Sequence, residues 1–305
     1  QTSKQIKLVL AFAAIYLIWG STFLAIRYAI QTLPGFLMAA FRFVTAGAIL
    51  CIIAKFQGAK MAEVGNPRRA AFITGLLLLL LGHGAVVLAV KNVPSGIAAL
   101  LMATTPLWVA LMEWALPGGV RPSGRVTAGI LMSFLGIIML IGPGNLRGAG
   151  TIDLKSAGIL AFSSISWAAG TIYARGVKIS PSPFMTSGMQ MLWGGCFLFF
   201  ASAATHELDD FSLWTVSLNS VIALGYLIFF GSILAFTAYS WLIKVTSPAR
   251  AITSAYVNPV VAVLLGSFIA KEPLTYKMML AMLTIVLGVF VTTNAKNEPK
   301  LKSLT

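Results

Sequence analysis

The chain has 305 residues, 58% of them hydrophobic and only 10% charged, with a mean hydropathy of +0.89. That composition excludes an ordinary water-soluble domain and points to membrane-spanning segments. The net charge of +14 does not mark a nucleic-acid binder, because the basic residues are spread over many loop ends with no single aromatic-laced patch.

A helix needs roughly 20 apolar residues to cross a hydrocarbon core of about 30 Å. In chain order such stretches fall at 8–29, 35–54, 70–90, 95–115, 124–142, 155–174, 184–204, 214–237, 248–269 and 277–294. The connections are short and rich in helix breakers: Leu33-Pro34-Gly35, Gly65-Asn66-Pro67, Pro117-Gly118-Gly119, Gly142-Pro143-Gly144 and Ser180-Pro181-Ser182-Pro183. A β-barrel strand would alternate apolar and polar residues, whereas Leu76 to Leu81 is an unbroken leucine run. The expected fold is an all-α integral membrane protein with ten transmembrane helices. The first apolar segment is too long for a signal-peptide core and is expected to remain as a span.

Of the 22 Lys and Arg residues, Arg27, Lys91, Arg147, Lys155, Lys271 and Lys277 fall on one side, together with the acidic loop Glu207, Asp209 and Asp210. Arg42 lies inside a span, and the remaining fifteen fall on the side of the N-terminus. This bias predicts two cytoplasmic termini in a multi-pass protein of the inner membrane. Cys51 and Cys196 lie in apolar spans at different depths, as small core residues and not as a disulfide pair.

The chain also repeats itself. At an offset of 148, Trp19 meets Trp167, Arg27 meets Arg175, Arg42 meets Gln190 and Gly47 meets Gly195; at 153, Lys91 meets Lys244, Ala98 meets Ala251 and Pro106 meets Pro259. Residues 1–147 and 148–305 therefore read as two five-helix repeats. An odd number of spans turns the second repeat upside down relative to the first. Inverted repeats can open a central cavity first to one side and then to the other.

Lys244-Val245-Thr246-Ser247-Pro248-Ala249-Arg250-Ala251, Asn258-Pro259 and Lys271-Glu272-Pro273-Leu274-Thr275 resemble the eighth to tenth spans of the drug/metabolite transporter superfamily, in its ten-helix EamA-type exporters. Ile18-Trp19-Gly20-Ser21-Thr22-Phe23 is similar to the first span of the same family, and the resemblance covers essentially the whole chain. The first repeat departs from the pattern: Gly118-Gly119-Val120-Arg121 lacks the glutamate of the acidic loop motif. The resemblance implies that spans one to four and six to nine surround the cavity, with five and ten peripheral. It also implies export of amino acids or related metabolites. Glycine-rich span five (Gly129, Gly136, Gly142) suits close packing within a monomer or across a homodimer.

Ionisable and polar residues inside spans are the candidate binding groups. Arg42 is expected to hold a substrate carboxylate or to snorkel to the interface, and its repeat mate Gln190 is also polar. His83, between Gly82 and Gly84, is either a structural histidine or a substrate and proton contact. Trp19, Trp167, Tyr239 and Tyr256 lie deep enough for cavity walls, whereas Trp114, Trp214, Tyr28 and Tyr276 suit an interfacial belt. Ser21, Ser163, Ser166, Thr104, Thr105, Ser254 and Asn258 add hydrogen-bonding groups, and Thr105-Pro106 and Asn258-Pro259 each free a carbonyl that an ammonium could use.

Such a cavity suits a small zwitterion with an apolar or aromatic side chain, and the expected function is amino-acid export by alternating access. No acidic residue sits in the middle of a span, so transport is expected to be uniport-like, with His83 the one proton-linked exception. The alternative is efflux of aromatic organic cations, for which aromatic walls suffice. Exchange of phosphate esters would need more than one buried basic residue. Paired carboxylates, nucleophile elbows and phosphate loops are absent from the spans, and His83 and His206 cannot build a metal cluster, so neither an enzyme nor a cofactor is expected.

Overall fold

A computed structural model describes residues 2–60, 66–117, 119, 121–146, 153–177, 179–180, 182–209, 211–245 and 254–295. All regular structure among them is helical and resolves into ten bodies. The first five are α1 (Thr2–Ala29), α2 (Gly35–Phe56), α3 (continuous over Pro67–Thr74, Gly75–Gly84 and Ala85–Val90), α4 (Ser95–Met102, resuming at Thr105–Ala115) and α5 (Gly124–Leu146). The second five are α6 (Leu154–Gly176), α7 (Pro183–Ala204), α8 (Leu218–Tyr226, Leu227–Leu234 and Ala235–Val245), α9 (Ser254–Ala270) and α10 (Tyr276–Ala295). Eight are long and apolar enough to cross a membrane; the described apolar parts of α5 and α9, Gly124–Leu140 and Val257–Ala270, are shorter.

Two expected boundaries move. Span eight begins at Leu218 and not near 214, because Leu213–Thr215 forms a separate 3₁₀ turn and Ser217 caps α8 by accepting from Ser220 N at 3.2 Å. Gly142-Pro143-Gly144 does not end α5, whose backbone stays helical to Leu146. Residues 246–253, most of the Lys244–Ala251 stretch, lie outside the described residues.

Two seams show how the halves are related. Helices α2 and α7 pack along their lengths, and so do α5 and α10. A Cβ built on Gly47 would sit 2.9 Å from both Gly188 O and Leu192 N; on Gly195, 148 positions later, it would sit 3.2 Å from Ala40 O and 2.9 Å from Val44 N. Ala40 and Val44 lie 148 positions before Gly188 and Leu192, so each contact is the image of the other. The second seam repeats the relation at an offset of 152: Gly136 meets Ala281 O and Ile285 N, while Gly288 meets Gly129 O and Ser133 N. Such reciprocal contacts are the signature of a twofold axis. In both seams the numbers rise on one helix as they fall on the other, so equivalent helices run antiparallel and the repeats are inverted. Gly129 and Gly136 of span five are thus used within the chain, against α10, and α5 with α10 forms an outlying two-helix layer.

The helix ends show where the symmetry breaks. Asn66, Asp153, Ser182 and Ser217 cap α3, α6, α7 and α8 with their own side chains. Asp153 also accepts from Ser156 Oγ at 2.6 Å, which holds its carboxyl below the usual carboxylate range. Helices α2 and α4 follow Pro34 and Pro94, which carry no capping side chain. Their caps come from the other repeat. Glu207 accepts from Phe36 N at 2.9 Å and Leu37 N at 3.2 Å; Glu272 accepts from Ser95 N at 2.9 Å and Ser95 Oγ at 3.0 Å, and pairs with Arg27 at 2.5 Å. These carboxylates, read from the sequence as plain loop residues, are structural. Arg175, the repeat mate of Arg27, pairs with Glu113 at 2.6 Å. Glu113 thus answers Arg175 from the end of α4, in the repeat whose loop lacks the family's glutamate.

Two outcomes follow for stability. Gly195→Leu is expected to clash with Val44 and cost about 1–3 kcal/mol, lowering the thermal midpoint of purified protein by several degrees, while Gly158→Ala, with open space around it and alanine the better helix former, does not lower the midpoint. Glu272→Ala is expected to cost about 1–3 kcal/mol by stripping buried donors, and Glu113→Ala less than about 1 kcal/mol because its pair is exposed; equal losses would show that the Glu272 cap adds nothing.

Candidate functional site

The polar centre forms around Arg42. Helix α2 carries it about seven residues, or roughly 10 Å, in from Gly35, and the side chain is only 5% exposed. Arg42 Nε donates to Ser232 Oγ at 2.9 Å, Nη1 lies 3.2 Å from His83 Nε2, and the guanidinium carbon sits 4.9 Å from the centre of the Phe43 ring. A guanidinium only donates, so His83 Nε2 is the acceptor and the imidazole proton is on Nδ1. No carboxylate lies within ion-pair distance of Arg42 among the described residues. Arg42 therefore points inward and does not snorkel.

Both partners come from π-helical segments, Gly75–Gly84 of α3 and Leu227–Leu234 of α8. Gly82-His83 and Gly231-Ser232 stand 149 positions apart, so Arg42 bridges two repeat-related sites and sits close to the twofold axis. A π segment disturbs the regular carbonyl ladder, and neighbouring helices answer it. Trp19 Nε1 donates to Gly231 O at 3.2 Å, Ser163 Oγ to Gly82 O at 2.7 Å and Ser166 Oγ to Leu77 O at 2.8 Å. Ser163 and Ser166, expected to line the cavity, instead hold α3 together. Trp167 packs its ring on Gly82, where a Cβ would approach Cε3 to 2.9 Å; its repeat mate Trp19 meets the equivalent Gly231 through the hydrogen bond to the carbonyl. Trp19 also meets Tyr239, with ring centroids 5.3 Å apart.

The proline sites part company. Pro106 cannot donate to Met102 O, and Thr105 Oγ1 takes the vacated bond at 2.7 Å while Thr104 Oγ1 donates to Leu101 O at 2.6 Å. That carbonyl is thus not open to an ammonium, and both threonines are structural. In α9 the matching residue, Asn258, has its Oδ1 buried with no hydrogen-bond partner among the described residues. Ser21 Oγ donates to Ile18 O at 2.8 Å and shares a 2.7 Å hydrogen bond with Tyr226 Oη. Gln190 is half-buried on α7, where its backbone carbonyl faces Gly75, and it makes no hydrogen bond to the Arg42 cluster among the described residues. The side chain of Tyr256 lies outside the described residues.

The sequence reading passed over Ser232, Gly231 and Tyr226. Ser232 had a signal, since it occupies the position of His83 in the second repeat; Tyr226, in an apolar run, had none. Two shallow hollows, of about 250 and 260 Å³, lie elsewhere, one bounded by Phe41, Cys196 and Phe200 on the α2–α7 face and one by Gln31, Pro34 and Glu207.

Comparison with known proteins places this arrangement in a family. The EamA-like transporter family matches residues 6–142 and again 155–294. "Uncharacterized inner membrane transporter YedA" of Escherichia coli K12 is 39% identical over 288 residues, covering 94% of this chain and 90% of that protein. "WAT1-related protein At3g02690, chloroplastic" of Arabidopsis thaliana is 26% identical and covers 84% of this chain and 62% of that one; "Uncharacterized transporter YvbV" of Bacillus subtilis is 23% identical and covers 95% and 92%. A solved structure titled "Crystal structure of protein" superposes with a TM-score of 0.63 at 22% identity, covering 97% of this chain and 99% of that one, and shows the fold alone. With both halves matched, the chain belongs to the EamA-like transporter family of the drug/metabolite transporter superfamily and is a multi-pass membrane transporter.

Proposed function

We propose that this protein exports small amino acids or closely related carboxylates, aromatic and apolar ones among them, by alternating access between its inverted repeats, with both termini in the cytoplasm. The reading is carried by one observation: Arg42 is a buried cation whose partners, Ser232 and His83, are neutral. A charge inside hydrocarbon is stabilised chiefly by an opposite one, and a substrate carboxylate supplies it. Trp19 and Tyr239 offer an aromatic wall on the neighbouring face of α1 and α8. An organic cation gains from the aromatic rings but is repelled by Arg42, so the chemistry of the site favours the carboxylate. Among the described residues no carboxylate lies beside Arg42 to carry a proton, which suits transport down the substrate's own gradient.

Counterflow of radiolabelled L-phenylalanine in proteoliposomes tests this. Flux is expected without a pH gradient, and Arg42→Gln is expected to lower it roughly 10- to 100-fold at low substrate, the loss of one charge-assisted bond. Inhibition by a quaternary ammonium compound but not by amino acids would instead identify a cation exporter, and a strict need for a pH gradient would exclude uniport.

A further inference from the structure

The twofold axis gives the two proline sites a common origin and different outcomes. In α4 the carbonyl orphaned by Pro106 is bonded by Thr105, and that site is complete. In α9 Pro259 stands at the matching place, but the preceding residue is Asn258, and its buried Oδ1 has no donor among the described residues. Buried polar atoms are almost always paired, and an exception needs a reason. The main chain of Asn258 is closely packed: Gly20 of α1 lies against it, where a Cβ would fall 3.1 Å from Asn258 O and 2.6 Å from Val261 Cβ.

The neighbourhood links Asn258 to the Arg42 cluster. Trp19, one residue before Gly20, donates to Gly231 O, and a Cβ on Gly231 would fall 3.2 Å from Arg42 Nη2. The dipeptide Trp19-Gly20 therefore bonds, through Trp19, to Gly231 beside the cationic centre and packs, through Gly20, on the main chain of the residue that carries the bare amide oxygen. An unfilled acceptor suits an ammonium, which brings three donors and a charge.

We propose that Asn258 is the ammonium-recognising residue of the transport site, so that the preferred substrate is a zwitterion held by its carboxylate at Arg42 and by its amine at Asn258 Oδ1. This rests on the transport reading given above and narrows it: a carboxylate without an amine fills only half the site.

Competition against radiolabelled L-phenylalanine counterflow reads the amine directly. In the wild type, unlabelled L-phenylalanine is expected to compete at least tenfold better than 3-phenylpropionate, which keeps the ring and carboxylate and lacks the amine. In Asn258→Val and in Asn258→Thr, the residue the first repeat uses, that preference is expected to fall to about twofold or less, while Asn258→Asp keeps it. Equal competition by the two compounds in wild-type protein overturns the proposal with no variant needed, and so does an unchanged preference in both variants. If Arg42→Gln still abolishes flux in those cases, the transport reading survives and only Asn258 is excluded; absence of phenylalanine flux in the wild type removes both.

Discussion

Inside hydrocarbon, every backbone donor and acceptor must be answered from within the protein, because no water is there to do it. Much of this molecule is organised by that demand. Where α3 and α8 widen into π segments, their carbonyls are met by Ser163, Ser166 and Trp19 from adjoining helices. Where Pro106 interrupts α4, Thr105 closes the gap. Where prolines leave α2 and α4 without local caps, carboxylates arrive from the far repeat. The polar residues of the spans are mostly spent on these repairs. Among the described residues the positive charge of Arg42, with no carboxylate beside it, and the unpaired amide oxygen of Asn258 are not spent in this way, and neither are Trp108 Nε1 and Ser202 Oγ.

Symmetry and its failure divide the work. The two glycine seams, α2 with α7 and α5 with α10, map onto themselves under the twofold axis and give the repeats a shared frame. Arg42 lies close to that axis and bonds to both π segments, so a change in how the halves tilt would alter its two partners together. The repeat mate of Arg42, Gln190, carries no charge, and the mate of Thr105 is Asn258. The frame is symmetric, while these odd pairs give its centre a polarity that the frame itself lacks.

Much of the frame was legible in the sequence. Apolar length placed the spans, the 148-residue offset paired Trp19 with Trp167 and Gly47 with Gly195, and the lone charge within a span singled out Arg42. What escaped notice was physical in origin. A threonine before a proline reads the same whether it faces a cavity or closes its own helix, so Thr104 and Thr105 were placed with the binding residues. Nothing in the Leu76–Leu81 run announces a π segment, so the duty of Ser163 and Ser166 could not be seen. The caps on α2 and α4 join residues 171 and 177 positions apart, and no local pattern encodes such a distance. Arg27 and Arg175 had been weighed only as loop charges, and each turns out to hold a carboxylate at its own end of the molecule.

The capping of α2 and α4 by Glu207 and Glu272 also sets an order in time. Ribosomes add about 5–20 residues per second, and the gap from Phe36 to Glu207 is 171 residues and that from Ser95 to Glu272 is 177. The first repeat thus waits roughly ten to thirty-five seconds in the membrane with two helix starts unfinished. During that interval its exposed amides must lean on lipid headgroups or the insertion machinery. The caps of the first half are in this sense written into the last third of the chain.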